Sequence, residues 1–295
     1  MYERLLIPLD GSDAAEIVLP YAEEVAAKLG ADVSVVHICD SDAAYTIHSV
    51  RPYLERVTIQ IQSQIQEYRP EVETKVHDEV FVGKPSEKIL HYADTANVSL
   101  IVMASRGSSG RGPWLLGSVA AKVLRATSKP VLLIRAAASD SAIQERRLIK
   151  KILLPLDGSA VGESALPFTA ILSTALGAEV VLLHVLKEIP SWTGAESMPY
   201  AISRDDEENR KALAMDYLNN VEKQFKGTGV STSSCVEPGS PADQIIEYAM
   251  AHAVDLIAMS SHGRSGIRRW VFGSITDKVL HAGDTAVLVV RAVKK

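Results

Sequence analysis

"RLLIPLDGSD", residues 4–13, returns later in the chain as "KILLPLDGSA", residues 151–160. The stretch "VSVVHIC" at 33–39 likewise returns as "VVLLHVL" at 180–186. The first stretch of each copy is a short apolar run that ends in the turn signal "DGS", and the second is another apolar run, a pattern typical of buried strands. Two such pairs in the same order indicate two copies of one unit.

The repetition continues to the end of each copy. "MASRGSSGRGPWLLGSVAAKVLRATSKPVLLIRA" at 103–136 returns as "MSSHGRSGIRRWVFGSITDKVLHAGDTAVLVVRA" at 259–292. Between the copies, "AASDSAIQERR" at 137–147 is polar and has no apolar period, which is typical of a linker. We therefore predict one domain at 1–138 and a second at 148–295, of about 150 residues each.

The composition limits the classes of function. The chain is 47% hydrophobic with a formal net charge of −5, so it can bury cores but offers no general basic field for a nucleic acid. It contains no apolar run of about 18 residues that could cross a bilayer, and the first apolar stretch is too short for a signal peptide. We expect a cytoplasmic protein without a membrane partner. Cys39 and Cys235 have no spacing typical of zinc sites, redox motifs or disulfide frameworks.

Strand and helix patterns alternate through each copy. Near-continuous apolar runs such as "SLIVMAS" and "DLIAMSS" are typical of strands that are covered on both faces. Strands that alternate with helices predict an α/β fold made of two tandem, doubly wound, parallel sheets of five strands each. Ligands of such sheets bind beyond the carboxyl ends of the strands.

Prolines and glycines predict where several helices begin and end. Gly30 and Gly177 follow apolar helical stripes and are expected to end the first helix of each copy. Pro20 and Pro167 fall within those stripes, so each helix either kinks at its proline or effectively begins there. Pro52 is expected near the first turn of the next helix.

A glycine-rich loop follows the fourth predicted strand of each copy. In both loops a glycine is followed by nine residues and then by a glycine–serine pair that begins a helix. Backbone N–H groups, a serine hydroxyl and the positive end of a helix dipole would converge there, which suits a phosphate. A plain connecting turn is the alternative for one loop, but recurrence in both copies favours phosphate binding. The candidate residues are Gly107, Gly117, Ser118, Gly263, Gly273 and Ser274.

The two commonest nucleotide-binding loops do not fit this pattern. A Walker A loop needs a lysine after its last glycine, and neither copy has one. A Rossmann fingerprint follows the first strand, whereas here the first turn reads "LDGS" and the glycine loop comes after the fourth strand. The predicted phosphate site is therefore of another kind.

Taken together, the "PLDGS" turn, the "HI" or "HV" at the end of the second strand, the "GKP" or "GSP" before a helix, and the spaced glycine and glycine–serine pair resemble the universal stress proteins. The resemblance covers nearly the whole chain, once per copy. It implies a tandem member with Rossmann-like domains. In relatives the last strand commonly pairs two domains, so "PVLLIRA" and "AVLVVRA" could pair within this chain as a pseudo-dimer; a homodimer is left open.

The resemblance also implies a ligand and its contacts. The family's ATP-binding members carry a glycine three residues ahead of the loop glycine, where this chain has Ala104 and Ser260. By position, the resemblance implies that Asp10 and Asp157, the aspartates of the first turns, lie beside the ribose or adenine. It also implies that backbone groups of Ile38 and Val185 bind the edge of adenine. An aspartate's two oxygens can accept from both ribose hydroxyls, although a turn or helix cap explains the "DGS" aspartates almost as well. ATP with Mg²⁺ is the expected ligand.

Four aromatic or imidazole side chains are interpreted as structural. His37 and His184 lie within apolar strands and are expected to be core residues, and Trp114 and Trp270 occupy matching loop positions, where packing is the expected role.

The residues favour a binding module over an enzyme. ATP hydrolysis requires a positioned water, a base or polar orienter, a metal and positive charge at the outer phosphates, and the sequence reveals no catalytic acid–base pair. We therefore predict an ATP-binding stress-response protein whose nucleotide regulates interactions with an unidentified protein partner. A slow ATPase or phosphotransferase in the same cleft and a nucleotide-independent interaction protein remain the alternatives.

Overall fold

Both copies fold into the same order of strands and helices. The computed structural model describes residues 2–39, 44–71, 73–107, 116–135, 140–187, 204–263 and 272–292. The first repeat contains β1 (Arg4–Leu9), α1 (Asp13–Glu16), α2 (Leu19–Leu29), β2 (Asp32–Cys39), α3 (Ala44–Tyr68), β3 (Val76–Val82), α4 (Pro85–Thr95), β4 (Leu100–Ala104), α5 (Ser118–Ala126) and β5 (Val131–Ile134).

The second repeat follows a short connecting helix, α6 (Asp140–Gln144), which lies within the predicted linker. Its elements are β6 (Lys151–Pro155), a 3₁₀ turn (Gly162–Ala165), α7 (Leu166–Leu176), β7 (Glu179–Leu186), α8 (Arg204–Glu222), a second 3₁₀ turn (Lys223–Phe225), β8 (Thr232–Pro238), α9 (Pro241–Ala251), β9 (Leu256–Ser260), α10 (Ser274–His281) and β10 (Ala286–Val290).

The described strands form one sheet that runs through both repeats. Its order is β3-β2-β1-β4-β5-β10-β9-β6-β7-β8, ten strands in all. Neighbours within each repeat are parallel, and β5 and β10 pair antiparallel with Leu132 opposite Leu288. The predicted doubly wound fold is confirmed. The last strands pair as the resemblance implied, so neither β5 nor β10 is left as an exposed edge.

Two apolar layers cover the faces of this sheet. Side chains alternate along each strand, so that Leu132 and Leu288 lie in one layer while their neighbours Leu133 and Val287 lie in the other. Both layers contain residues of both repeats. The hydrophobic core is therefore shared across the β5–β10 junction.

The helix ends follow the local sequence in most places. Gly30 and Gly177 end α2 and α7 in the left-handed conformation, at φ 65° and 62°. Both helices begin one residue before their prolines, Pro20 and Pro167, so the proline starts the helix and does not kink it. The expectation that Pro52 lies near the first turn of its helix is wrong, because α3 begins at Ala44 and Pro52 lies inside it. The helix continues through Pro52 although proline has no N–H group to donate to the preceding turn.

Tyr2 and helix α2 of the first repeat also contact the second repeat. The Tyr2 hydroxyl donates to the Phe168 carbonyl at 3.3 Å, and their rings pack edge to face at 5.9 Å. On α2, the fully buried Glu24 accepts a hydrogen bond from the Leu148 N–H at 2.9 Å. A carboxylate of the first repeat thus holds the chain where it enters the second.

Burial gives this carboxylate an unusual titration. Burial raises the pKa of Glu24 to about 7, against smaller opposing effects of the Leu148 and Ile149 N–H groups. Burial likewise raises the pKa of Glu23 to about 7. The folded state holds both protons more tightly than the unfolded chain. Their stabilisation is therefore complete below about pH 4.5 and is lost as the pH rises through about 7.

We expect Glu24→Gln to flatten the pH dependence of stability. The amide oxygen keeps an acceptor for the Leu148 N–H, but it no longer has to ionise in a buried position. The free energy of unfolding, measured by urea denaturation from pH 5 to 8, should fall less steeply with rising pH than in the unmodified chain. Glu55→Gln, at an exposed position on α3, is the control. Equal slopes for Glu24→Gln and the unmodified chain would contradict the assignment.

Candidate functional site

The carboxyl ends of the parallel strands open on a large cleft in the second repeat. The cleft has a volume of about 590 Å³, within the range of small-molecule sites. Its wall contains the end of β6 with Asp157, the end of β7 with Val185, the start of the glycine loop at Gly263, and the start of α10 at Gly273 and Ser274. All five predicted site residues of this repeat therefore line one cavity.

The aspartate of each first turn is held in place by a serine. The N–H and hydroxyl of Ser159 donate to Oδ1 of Asp157 at 3.0 and 2.6 Å. Ser12 makes the same two bonds to Oδ1 of Asp10, at 3.1 and 2.5 Å. Ser12 also caps α1 by accepting from the Ala15 N–H, so the serine is the cap and the aspartate supports the turn.

The second aspartate oxygen lies against the first glycine of the loop. A Cβ on Gly263 would lie 2.5 Å from Oδ2 of Asp157, and one on Gly107 would overlap Oδ2 of Asp10. Neither glycine has a positive φ, so close approach of the carboxylate is what excludes a side chain there. In the second repeat, Gly162 flanks the other side, since its Cβ would lie 2.5 Å from Oδ1 of Asp157.

The glycine–serine pairs begin the helices as predicted. Gly117 and Gly273 are the N-cap residues of α5 and α10, with φ of −60° in both. Each closes its loop through a backbone hydrogen bond, from the Gly117 N–H to the Ser105 carbonyl at 2.8 Å and from the Gly273 N–H to the Ser261 carbonyl at 3.0 Å. Ser118 and Ser274 follow as exposed first residues of the helices. These bonds hold the start of each helix beside the end of the preceding strand, where a phosphate would meet the positive end of the helix dipole.

The position where the family's ATP-binding members have a further glycine lies at a strand end in both repeats. Ala104 and Ser260 are the last residues of β4 and β9, are buried, and lack positive φ. These positions therefore do not need glycine's backbone freedom here. The Ser260 carbonyl also accepts from the Thr276 hydroxyl at 2.9 Å, which fixes the first turn of α10 against the strand.

The predicted adenine-binding residues lie at equivalent positions in the two repeats. Ile38 is the next-to-last residue of β2, and Val185 is the next-to-last residue of β7. Trp114 and Trp270 lie outside the described residues.

One wall of the second cleft was not anticipated from the sequence. Arg210, Leu213 and Tyr217 of α8 line it, together with His184 of β7. The Tyr217 hydroxyl donates to Oε1 of Glu163 at 2.9 Å, and its ring meets His184 edge to face at 6.1 Å. Tyr217 fits the apolar stripe of its helix, so its sequence indicated packing alone. His184 is buried, as expected for a core residue, but it also borders the cleft.

Burial and charge define the chemistry of this wall. Burial, reinforced by Glu163, raises the pKa of Tyr217 above its ordinary value, so the phenol stays neutral at neutral pH. Among the described lining residues Asp157 is the only carboxylate, whereas four are basic types: His184, Lys187, Arg210 and His262. Leu213, exposed over 70% of its surface, presents apolar area at the mouth. The cleft thus combines apolar side chains, one carboxylate and several basic side chains.

Other kinds of site find no support in the described part of the chain. Within the described ranges no cluster of three or more His, Cys, Asp or Glu residues could hold a metal ion. Cys39 and Cys235 are free thiols, and burial raises the pKa of Cys235 to about 11. No helix among the described residues has the length and apolarity that a membrane span requires.

The fold and the cleft define a class of protein: a tandem α/β protein with a cleft at its strand ends and a glycine–serine helix start beside it. The model of the universal stress protein family matches residues 1–135 and 148–291, and the chain belongs to this family. A relative over nearly the full length is the universal stress protein Slr1230 of Synechocystis, 23% identical over 314 residues, covering 98% of this chain and 100% of the relative.

A solved structure that matches over the full length has the same fold. A universal stress protein from Archaeoglobus fulgidus superposes with a TM-score of 0.69 at 22% identity and covers 99% of both chains. Another universal stress protein, solved in complex with cAMP, matches 46% of this chain and 98% of its own length at 22% identity and a TM-score of 0.36.

Proposed function

We propose that the chain binds ATP with Mg²⁺ and acts as a nucleotide-dependent regulatory or interaction module in the stress response. The observation that carries this proposal is the second cleft, where a turn aspartate, a strand end and a glycine–serine helix start converge on about 590 Å³ of space. The two binding units correspond to residues 1–138 and 148–295. We place the module in the cytoplasm, with a protein partner still to be identified.

The proposed ligand contacts follow from the geometry of the cleft. The first-turn N–H groups of α10 and the Ser274 hydroxyl would hold phosphate oxygens, because a helix start presents unpaired donors and a positive dipole end. Oδ2 of Asp157 would accept from the ribose hydroxyls, and the backbone at Val185 would pair with the edge of adenine. Asp10, Ile38, Gly107, Gly117 and Ser118 would make the matching contacts in the first repeat.

A binding role fits this wall better than catalysis. Hydrolysis needs a group that positions or deprotonates water at the outer phosphate. Among the described lining residues, the one carboxylate is engaged with Ser159, and in this proposal it would bind the sugar and not a water at the outer phosphate. Mg²⁺ would come to the site with the phosphates and would supply charge neutralisation there.

Nucleotide binding can be tested on the chain as purified. We expect mass spectrometry of the released small molecules to identify an adenine nucleotide, and equilibrium dialysis of the ligand-free chain to show saturable binding of ATP with Mg²⁺. ATP at about 100 times its Kd should stabilise the fold by about 2.7 kcal/mol in thermal unfolding. ADP, GTP and cAMP complete the panel, cAMP because a family member has been solved with it.

The controls separate this proposal from its alternatives. The double variant Asp10→Ala, Asp157→Ala should lose the binding while remaining folded, because it removes one acceptor from each cleft. An unmodified chain that binds none of the four nucleotides would refute the proposal. Phosphate release that survives rigorous purification and disappears in Gly117→Val, Gly273→Val would instead favour a slow ATPase.

A further inference from the structure

The helix that starts at the second cleft ends on an arginine of the first repeat. Arg135 directly follows β5 and is only 9% exposed. Its Nη1 donates to the carbonyls of Ala282 and Gly283, the latter at 2.7 Å, and its Nη2 donates to that of Val279 at 2.7 Å. Val279 lies in the last turn of α10, where its carbonyl also accepts from the Ala282 N–H at 3.4 Å, and Ala282 and Gly283 directly follow the helix.

The predicted site of the first repeat, called the first cleft below, receives the same contact from the second repeat. Arg291 directly follows β10, and its Nη1 donates to the carbonyls of Arg125 and Thr127 at 3.1 and 2.9 Å. These groups lie at the end of α5, which starts at Gly117 and Ser118. Arg135 and Arg291 occupy matching positions of the two copies, so the exchange is reciprocal.

Backbone hydrogen bonds connect each arginine to the cleft of its own repeat. The Ser105 N–H donates to the Ile134 carbonyl at 2.7 Å, and the Ser261 N–H donates to the Val290 carbonyl at 2.8 Å. The carbonyls of the same two serines accept the bonds that close the glycine loops. The hydrogen bonds therefore connect the two repeats in both directions. In each repeat they run from the bond that closes the glycine loop, through the end of the last strand and its arginine, to the helix that follows the glycine loop of the other repeat.

Because the two helices are short, a contact at the carboxyl end of either helix can affect the first turn that faces the cleft. α10 has 8 residues and α5 has 9, so each is only about 12 to 14 Å long. Its last turn is nearly half of the helix, and fraying there loosens the first turn that faces the cleft. Burial lowers the pKa of Arg135 to about 10, so the guanidinium remains charged at neutral pH. A cation at the carboxyl end complements the helix dipole whose positive end faces the anion.

We propose that Arg135 and Arg291 are positioning residues for the cleft of the opposite repeat, so that each nucleotide site is complete only when both repeats are docked. The proposal rests on the nucleotide-binding function proposed above. It predicts a crossed effect: loss of an arginine weakens binding in the other repeat more than in its own.

The test measures each cleft separately in the full chain. Asp157→Ala leaves the first cleft and Asp10→Ala leaves the second, and ATP affinity is then measured by titration calorimetry. Adding Arg135→Gln should raise the Kd of the second cleft by about fivefold or more, the lower end of typical coupling, and that of the first by less than about twofold. Adding Arg291→Gln should do the reverse.

Other outcomes are decisive as well. Equal weakening of both clefts, stronger weakening in the arginine's own repeat, or no weakening would overturn the proposal. Arg135→Lys and Arg291→Lys keep the charge but lack the planar fork for several carbonyls, and they should give the same crossed pattern at smaller size. They replace the glutamine variants if those do not fold.

A readout without nucleotide separates this proposal from the function on which it rests. Hydrogen exchange of the ligand-free chain should become faster at the Gly273 and Asp277 N–H groups in Arg135→Gln and at the Gly117 and Ala121 N–H groups in Arg291→Gln, because these are the hydrogen-bonded donors at the starts of α10 and α5. If the unmodified chain binds no ATP, the proposed function fails, and this exchange pattern alone decides the role of the arginines. Unchanged exchange in both helices would overturn it.

Discussion

The Gly263→Ala variant is expected to lose at least about tenfold in nucleotide affinity at the second cleft and to be less stable than the unmodified chain. The added Cβ would lie 2.5 Å from Oδ2 and 3.4 Å from Cγ of Asp157. The carboxylate cannot rotate away without breaking its bonds to Ser159 at Oδ1. Either the aspartate or the loop must move, and overpacking of this kind costs about 1–3 kcal/mol.

Two further variants identify the cause of the effect. Asp157→Ala combined with Gly263→Ala removes the clash, so stability should recover relative to Gly263→Ala while binding stays lost. Gly273→Ala controls for glycine replacement in the same loop, because its Cβ would meet no atom closer than 3.6 Å and should change stability by less than about 1 kcal/mol. Thermal unfolding gives the stabilities, and calorimetry in the Asp10→Ala background gives the affinities. A Gly263→Ala chain with unaltered stability and affinity would contradict the close contact.

Truncation at the junction of the two repeats is expected to have the largest effect on stability. Leu132 and Leu288 are opposite one another on β5 and β10, and both are fully buried in the same apolar layer. Leu132→Ala and Leu288→Ala should each lower the free energy of unfolding by about 2–5 kcal/mol, since each leaves a cavity in a packed layer. Urea denaturation measures both, with the exposed Ile59→Ala as a control expected to change stability by less than about 0.5 kcal/mol.

The junction itself is tested by combining the variants. Residues in contact have coupled effects, so the double variant Leu132→Ala, Leu288→Ala should depart from the sum of the single effects by about 0.5–3 kcal/mol. Leu6→Ala combined with Leu288→Ala is the matched pair without contact, because Leu6 belongs to the other layer and to the other repeat. Additive effects in both pairs would argue against the shared core.

Local patterns predicted the helix ends well where neighbouring residues decide the conformation. Gly30 and Gly177 ended their helices because the left-handed conformation costs glycine little, and Pro20 and Pro167 began theirs because proline lacks only a donor that a first turn does not use. Pro52 was misjudged because packing overrides this preference: Leu54, Val57 and Ile61 beyond it are fully buried and stabilise the helix through the proline.

The sequence predicted the loop residues of the candidate site but not the α8 residues that line its wall. Gly263 and Gly273 could be found from a repeated spacing and Asp157 from the resemblance to the universal stress proteins, and the structure brings them to one cavity. Tyr217 and Arg210 could not, because a residue of an amphipathic helix has no local sign of which neighbour it will face.

The sequence by itself determined the two repeats, the order of strands and helices, and the glycine–serine loop after the fourth strand. These features depend on periodicity and turn conformations, which residues a few positions apart control. Only the tertiary structure decided that the strands join into one sheet through β5 and β10, that Asp157 presses on Gly263, and that Arg135 and Arg291 cap each other's helices. Those contacts join residues about a hundred or more positions apart, and their partners are chosen by packing of the assembled sheet, on which local propensity carries no information.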